Sequence, residues 1–73
     1  MGKGRRLKVL RAEQEVTQLQ MARAAGMNAT RYWQIENGEG PDPTLDEQKA
    51  VAAALDVKVG EIDWPAVGAA RAS

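Results

Sequence analysis

The sequence predicts an all-α fold of four to five short helices. Two segments have the form of a capping box, Thr17-Gln18-Leu19-Gln20 and Thr44-Leu45-Asp46-Glu47. In this motif the first and fourth side chains cover free N–H groups of the opening helical turn. Gly26 and Asn37-Gly38 lie about one helix length after the start signals and are typical of helix C-termini. No stretch shows the apolar–polar alternation of a strand. The turn signals therefore mark helix boundaries.

The first two predicted helices follow from apolar spacing and from their end signals. A first helix is expected from about Arg5 to Glu13, because Leu7 and Leu10 stand three residues apart on one face. A second helix begins after Thr17 and ends at Gly26, which can adopt the left-handed conformation of a helix end. Its buried face is expected to consist of Met21, Ala22 and Ala25.

A third helix is predicted after Asn28, a good N-cap, and ends at Asn37-Gly38. Its inward residues are expected to be Tyr32 and Ile35. Residues 38–43 read Gly-Glu-Gly-Pro-Asp-Pro and are predicted to form a loop.

The fourth helix is expected to follow Thr44 and to end near Leu55. Its inward residues are predicted to be Leu45, Val51, Ala52 and Leu55. A short helical turn near residues 59–62 comes next, since several apolar residues there still need burial, and Pro65 ends it. The domain is therefore expected over residues 1–64, with an Ala/Gly-rich, flexible tail over residues 65–73.

Composition excludes several classes of site. The chain has 73 residues, no Cys and no His, which excludes disulfides, zinc fingers, cysteine nucleophiles and imidazole ligands. The few aliphatic hydroxyls have no base to activate them. We therefore expect no enzyme activity, no catalytic residue, no metal and no cofactor. No apolar run approaches a membrane span or a signal sequence, so a cytoplasmic protein is expected.

Charge is distributed unevenly although the total is zero. Residues 1–34 carry seven basic and two acidic residues, a net charge of +5, and residues 35–73 carry three basic and eight acidic residues, a net charge of −5. Such asymmetry is typical of a side that faces a polyanion. The alternative is that two halves of one fold neutralise each other, and the sequence leaves both open.

Only Gly26 and Met27 separate the second and third predicted helices, which is the spacing of a helix-turn-helix arrangement. Over roughly residues 6–62 the chain resembles the Cro/C1-type (XRE-like) helix-turn-helix family of phage repressors, bacterial regulators and antitoxins. The motifs that carry this resemblance are Leu7-Lys8-x-Leu10-Arg11, Val16-Thr17-Gln18-x-x-Met21-Ala22, Ala25-Gly26-Met27-Asn28, Ile35-Glu36-Asn37-Gly38, Pro43-Thr44-Leu45 and Ala52-x-x-Leu55-x-Val57.

The resemblance implies a lambda-repressor-like DNA-binding domain whose third helix lies in the major groove. The base-reading candidates are Asn28, Ala29, Thr30, Trp33 and Gln34. Gln34 can pair with adenine, and Ala29 can touch a thymine methyl group. The competing explanations are that Asn28 only caps the helix and that Thr30 and Gln34 are ordinary surface residues. Trp33 either packs on a sugar or a thymine methyl group of the DNA, or folds back over the second helix against Leu19.

Phosphate contacts are expected mainly around the second helix and the basic N-terminal segment. The candidates are Thr17, Gln18, Arg31, Asn37, Lys3, Arg5 and Arg6. Family members often carry a basic residue after the Asn-Gly, whereas this loop has Glu39 and Asp42, which repel phosphate. The resemblance also implies that Arg11 and Glu36 form a structural ion pair that positions the third helix.

The function expected is sequence-specific binding of double-stranded DNA, as a small transcriptional repressor. We expect a weak homodimer that tightens on two half-sites, because one recognition helix reads few base pairs. The candidates for the dimer contact are Val57, Val59, Ile62 and Trp64. Trp64 is placed near the two-fold axis, with the alternative that it folds back to cap the core. The second candidate function is a protein-interaction module or antitoxin-like binder that uses the acidic C-terminal half, with no membrane partner in either case.

Overall fold

Four α-helices and one 3₁₀ turn follow one another in a computed structural model of the chain that describes residues 4–65. The elements are α1 (Leu7–Glu13), α2 (Gln18–Ala25), α3 (Ala29–Asn37), α4 (Leu45–Leu55) and the 3₁₀ turn (Val59–Glu61). The all-α fold predicted from the sequence is confirmed. The expected phosphate contact at Lys3 and the expected tail after Pro65 lie outside the described residues.

Side chains cap the N-termini of α2, α3 and α4 as the sequence predicts. The Thr17 hydroxyl accepts the backbone N–H of Gln20 at 3.1 Å, and the Gln20 side chain accepts the backbone N–H of Thr17 at 2.8 Å. Thr44 and Glu47 form the same reciprocal pair at α4. These bonds satisfy N–H groups that would otherwise have no partner inside the helix.

The C-terminal ends of α2 and α4 use different residues in the same backbone conformation. Gly26 ends α2 at φ 73°, as expected, whereas α4 ends at Asp56 with φ 58°. Aspartate is one of the few residues with a side chain that visits this region. The backbone N–H of Val57 then donates to the Ala52 carbonyl at 3.0 Å, which closes the helix end.

The core draws residues from every helix and from the segment after the 3₁₀ turn. Its largest fully buried side chains include Tyr32, Leu7 and Met21, and Ala22 is also fully buried. α2 packs against both α3 and α4, and the 3₁₀ turn packs against α4. The small Ala22 side chain is suited to a close approach between α2 and its neighbours, as the sequence predicts. The ten buried hydrophobic residues are Leu7, Leu10, Met21, Ala22, Tyr32, Ile35, Val51, Ala52, Leu55 and Ile62.

Leu45 was predicted to point inward, and this is wrong. Leu45 is 58% exposed, whereas Val51, Ala52 and Leu55 are buried. The first residues of α4 are exposed and burial begins only near Glu47. Helical spacing puts Leu45 on the correct face, but its turn of the helix lies beyond the core.

The start of the chain pairs with the segment after the 3₁₀ turn, a contact that sequence periodicity does not reveal. Arg5 and Ile62 form one isolated parallel bridge, in which the Arg5 N–H donates to the Glu61 carbonyl at 3.0 Å. A Cβ atom on Gly4 would lie 2.5 Å from the same carbonyl oxygen, so the close approach requires glycine. Because Arg5 is held in this bridge, α1 begins at Leu7 rather than at Arg5.

Trp64 folds back onto the domain. Its indole N–H donates to the Val59 carbonyl at 3.2 Å, and its ring is partly buried against the core with Val57 and Val59. Ile62 is only 5% exposed. The segment predicted to make the dimer contact therefore also closes the core: Ile62 is buried, and Trp64 folds back as the alternative interpretation expects.

No helix in the described part of the chain combines the length and the apolar character that crossing a bilayer requires.

Candidate nucleic-acid interface

The turn between α2 and α3 leaves one side of α3 exposed to solvent. The backbone N–H of Met27 donates to the Ala22 carbonyl at 2.9 Å, and α2 packs against α3. Beyond this turn Ala29, Thr30 and Trp33 are all exposed. The N-terminal half of α3 thus presents a continuous outer face, while Tyr32 and Ile35 are buried beneath it.

A buried carboxylate holds α3 in place. Glu36 is the one buried charged residue among residues 4–65, at 4% exposure. Arg11 donates to it from Nε at 2.9 Å and from Nη2 at 3.3 Å, and the Tyr32 hydroxyl donates at 2.8 Å. A further Arg11 nitrogen donates to the Val16 carbonyl at 3.1 Å. The ion pair expected between Arg11 and Glu36 is therefore part of a network joining α1 to α3.

The electrostatics of this network favour an ionised Glu36. Burial by itself raises the pKa of the Glu36 carboxyl, but the hydrogen bonds from Arg11, Gln18 and Tyr32 outweigh it and hold the pKa below its ordinary value. Burial and the bond to Glu36 raise the pKa of the Tyr32 hydroxyl. Glu36 stays charged and Tyr32 stays a donor at neutral pH.

Gln18 takes part in the same network. Its side-chain N–H donates to Glu36 Oε1 at 2.8 Å, and the residue is half-buried. The sequence predicts a phosphate contact for Gln18, but here its amide nitrogen links α2 to α3. The Thr17 hydroxyl, another phosphate candidate, is engaged in the cap of α2.

Arg31 is also engaged within the protein. Its guanidinium donates to Glu47 through Nε at 2.9 Å and Nη2 at 2.7 Å, and to the carbonyls of Pro41 and Asp42 at 3.1 and 3.3 Å. Its side chain is only 17% exposed. The sequence predicts a phosphate contact for Arg31, but here its donors tether the loop and α4 to α3.

Gln34 lies under that loop. Its Oε1 atom is 3.4 Å from Arg31 Nη1, and a Cβ atom on Gly40, where φ is +68°, would lie 2.8 Å from the same oxygen. Gln34 is half-buried. The loop thus covers part of a residue that the sequence predicts to read bases.

Asn28 and Asn37 lie at the two ends of α3, and the side chain of each makes one hydrogen bond to the helix backbone. Asn28 Oδ1 accepts the Arg31 N–H at 2.7 Å, so the cap that was the competing explanation for Asn28 is present. Asn37 Nδ2 donates to the Trp33 carbonyl at 2.9 Å. The amide nitrogen of Asn28 and the carbonyl oxygen of Asn37 make no hydrogen bond among the described residues.

Trp33 does not fold into the protein. The ring is 44% exposed and Leu19 is 50% exposed. Neither residue belongs to the core or to the partly buried residues packed on it. Trp33 is therefore exposed rather than buried over α2.

Ion pairing accounts for the uneven charge of the sequence. Four ion pairs occur within the described part of the chain: Arg5–Glu13, Arg6–Asp63, Arg11–Glu36 and Arg31–Glu47. Three of them join the basic first half to the acidic second half. This supports the alternative in which the two halves neutralise each other, and it leaves Arg23 as the described arginine outside these pairs.

Comparison with known proteins agrees with this geometry. A family model described as a helix-turn-helix domain matches residues 4–64. The chain belongs to that helix-turn-helix family. No curated protein matches the chain. In helix-turn-helix domains the second helix of the motif enters the major groove of DNA, and in this domain that helix is α3.

Replacing Arg11 by alanine should destabilise this helix-turn-helix domain by about 3–5 kcal/mol, because the buried Glu36 carboxylate would lose its counter-charge. Urea unfolding followed by circular dichroism measures the loss. Arg5→Ala is the matched control, since it breaks an exposed pair worth about 1 kcal/mol or less. Equal effects of the two substitutions would contradict a structural role for Arg11.

Acid should weaken the ion pair between Arg31 and Glu47, which joins α3 to α4 and is called the clamp below. The hydrogen bonds from Arg31 and from the Thr44 N–H lower the pKa of Glu47 from 4.5 to about 2. A carboxyl with a lowered pKa adds stability above its unfolded-state pKa and loses it as the pH falls toward the folded-state value. Because solvent screens this partly exposed pair, we expect the stability difference between wild type and Glu47→Gln to be about 1 kcal/mol at pH 7. This difference should shrink as the pH falls from 4.5 to 2.

Urea midpoints for both proteins across this pH range measure the difference. Arg31→Gln removes the cause of the lowered pKa and should converge with wild type in the same way. Parallel curves for wild type and Glu47→Gln would show that the clamp adds no pH-dependent stability.

Proposed function

We propose that this helix-turn-helix domain binds double-stranded DNA sequence-specifically, with α3 in the major groove, as a small transcriptional repressor of the phage or bacterial type. The observation that carries the proposal is the exposed face of Ala29, Thr30 and Trp33 on a helix fixed from below by Glu36. A rigid helix with free outer side chains is what direct readout of base edges requires.

Hydrogen bonding to bases falls mainly to Thr30 and to the amide nitrogen of Asn28. Thr30 is exposed and its hydroxyl makes no hydrogen bond within residues 4–65, so it can donate or accept at a base edge. Asn28 keeps two N–H donors after its oxygen caps α3. Gln34 contributes less than the sequence suggests, because the loop covers part of it.

Phosphate contacts fall to groups that are exposed or weakly paired. The first-turn amides of α2 favour an anion, and Arg23 is exposed. Arg5 and Arg6 have side chains 55% and 71% exposed. Exposed ion pairs contribute little, so these two arginines can exchange a carboxylate for a phosphate at small cost.

The same proposal includes two copies of the chain on a pseudo-palindromic site. One recognition helix contacts too few base pairs to select a genomic site, and paired half-sites lie roughly 34 Å apart. Of the residues named for this contact, Val57, Val59 and Trp64 keep part of their surface exposed. An inverted repeat in the DNA that the protein selects would support the dimer, and a single half-site would contradict it.

Selection of bound sequences from random duplex DNA tests the function. Wild type should enrich a defined motif, and Thr30→Ala should relax the preference at one base position by roughly 1–3 kcal/mol. Val9→Ala is the control, since it truncates an exposed side chain on α1, outside the motif formed by α2 and α3. No enrichment at low salt would contradict sequence-specific binding.

The protein-interaction alternative draws on one observation. Four of the five described arginines are ion-paired, and Glu39 and Asp42 are exposed on the loop after α3. Such a surface attracts phosphate weakly. Failure to bind random duplex even at low salt would favour a protein partner for the acidic half.

Reversing the loop charge should strengthen DNA binding. Glu39→Lys replaces a repulsion by an attraction, which should raise affinity and steepen the slope of log K against log salt by about one unit. Ala53→Lys adds one positive charge on the exposed side of α4, half the charge change of Glu39→Lys, and serves as the control for a lysine placed away from the loop. Titrations of a labelled duplex at several salt concentrations give both slopes. Equal slopes for the two variants would place the loop away from DNA.

A further inference from the structure

The outer face of α3 contains an apolar surface, the Trp33 side chain, that residues 4–65 leave 44% exposed. We propose that Trp33 determines sequence specificity by contacting the 5-methyl group of thymine in the major groove. This inference rests on the proposed DNA binding and adds the chemical group that is read. Its basis is the set of side chains left free on this face.

Intramolecular bonds leave few hydrogen-bonding groups on the face for reading bases. Asn28 has its oxygen in the cap of α3, and Gln34 lies against Arg31 and Gly40. Ala29 has no polar side-chain atom. Thr30 is therefore the one freely rotating polar side chain among the five expected base readers.

Trp33 supplies the largest apolar surface beside Thr30. Its ring is 44% exposed, and within residues 4–65 the indole N–H donates to no protein group. Removing apolar surface from water is favourable in proportion to its area, so covering this ring adds affinity. The major-groove edge of a base pair offers one apolar group, the thymine 5-methyl. The chemistry of the ring matches that group.

The backbone beneath Trp33 is fixed on both sides. Asn37 Nδ2 donates to the Trp33 carbonyl at 2.9 Å, and Tyr32 and Glu36 are buried and bonded to each other at 2.8 Å. An exposed side chain on so rigid a support can distinguish the presence of a single methyl group.

The charge distribution increases the share of the binding free energy that apolar contacts to the bases must supply. Arg11 and Arg31 are held by carboxylates inside the domain, so they release few counterions on binding DNA. Affinity then depends more on contacts to the bases, and the indole is the largest side chain available for them.

The experiment replaces thymine by deoxyuridine, which removes the 5-methyl group and keeps base pairing. Duplexes selected by the wild-type protein from the random pool are resynthesised with one such replacement at each thymine in turn. Wild type should lose about fourfold in affinity at the thymine that Trp33 covers, the factor that burial of one methyl-sized group supplies. Trp33→Ala should bind the two duplexes equally, and Trp33→Leu should retain part of the discrimination.

Controls separate this inference from the DNA-binding function itself. Val9→Ala truncates another exposed apolar residue, on α1, and should keep the full discrimination. Urea unfolding verifies that Trp33→Ala is folded, as expected for a residue outside the core. Enrichment of a motif by wild type with equal binding of thymine and deoxyuridine at every position would overturn the inference and leave the proposed function intact.

Two further results would also overturn it. If Trp33→Ala weakens both duplexes equally, the ring contacts sugar or phosphate rather than the methyl group. If wild type enriches no motif, the proposed function fails and this inference fails with it.

Discussion

The buried carboxylate of Glu36 is the interaction on which the arrangement of the helices depends. A charge at 4% exposure is costly unless it is paired and fully hydrogen-bonded, and here donors arrive from α1, α2 and α3 together. Each donor comes from a different helix, so the carboxylate is satisfied only when all three are in their native positions. The network therefore specifies the orientation of α3 more sharply than apolar packing alone.

A second clamp fixes the other side of α3. Arg31 joins α3 to the cap of α4 through Glu47, and it holds the loop by two backbone carbonyls. Glu47 serves both as the capping-box acid of α4 and as the partner of Arg31. The recognition helix is thus anchored at Glu36 from within and at Arg31 from the loop side, leaving Ala29, Thr30 and Trp33 free.

The pairing of Arg11 and Arg31 with carboxylates inside the domain bears on how the domain would bind DNA. Arg11 and Arg31 hold the fold together through Glu36 and Glu47, and the loop after α3 carries Glu39 and Asp42. A surface of this kind gains less from counterion release than a basic one. Under the proposed function, base contacts would then carry a larger share of the binding free energy, which favours selectivity over general affinity for DNA.

The sequence by itself determined the number, order and caps of the helices, since these follow from local signals such as Thr17 and Gly26. It also identified the helix-turn-helix spacing, whereas the partnership of Arg11 with Glu36 was implied only by the family resemblance. Tertiary structure alone decided which polar groups remain free. Gln18, Gln34 and Arg31 have the right chemistry for DNA, but their partners lie elsewhere in the chain, up to 18 residues away for Gln18. Likewise, Leu45 has the correct helical spacing but lies beyond the core, and residues 4–65 leave Trp33 44% exposed. Local spacing fixes the face on which a residue lies, whereas its availability depends on what the rest of the fold brings against that face.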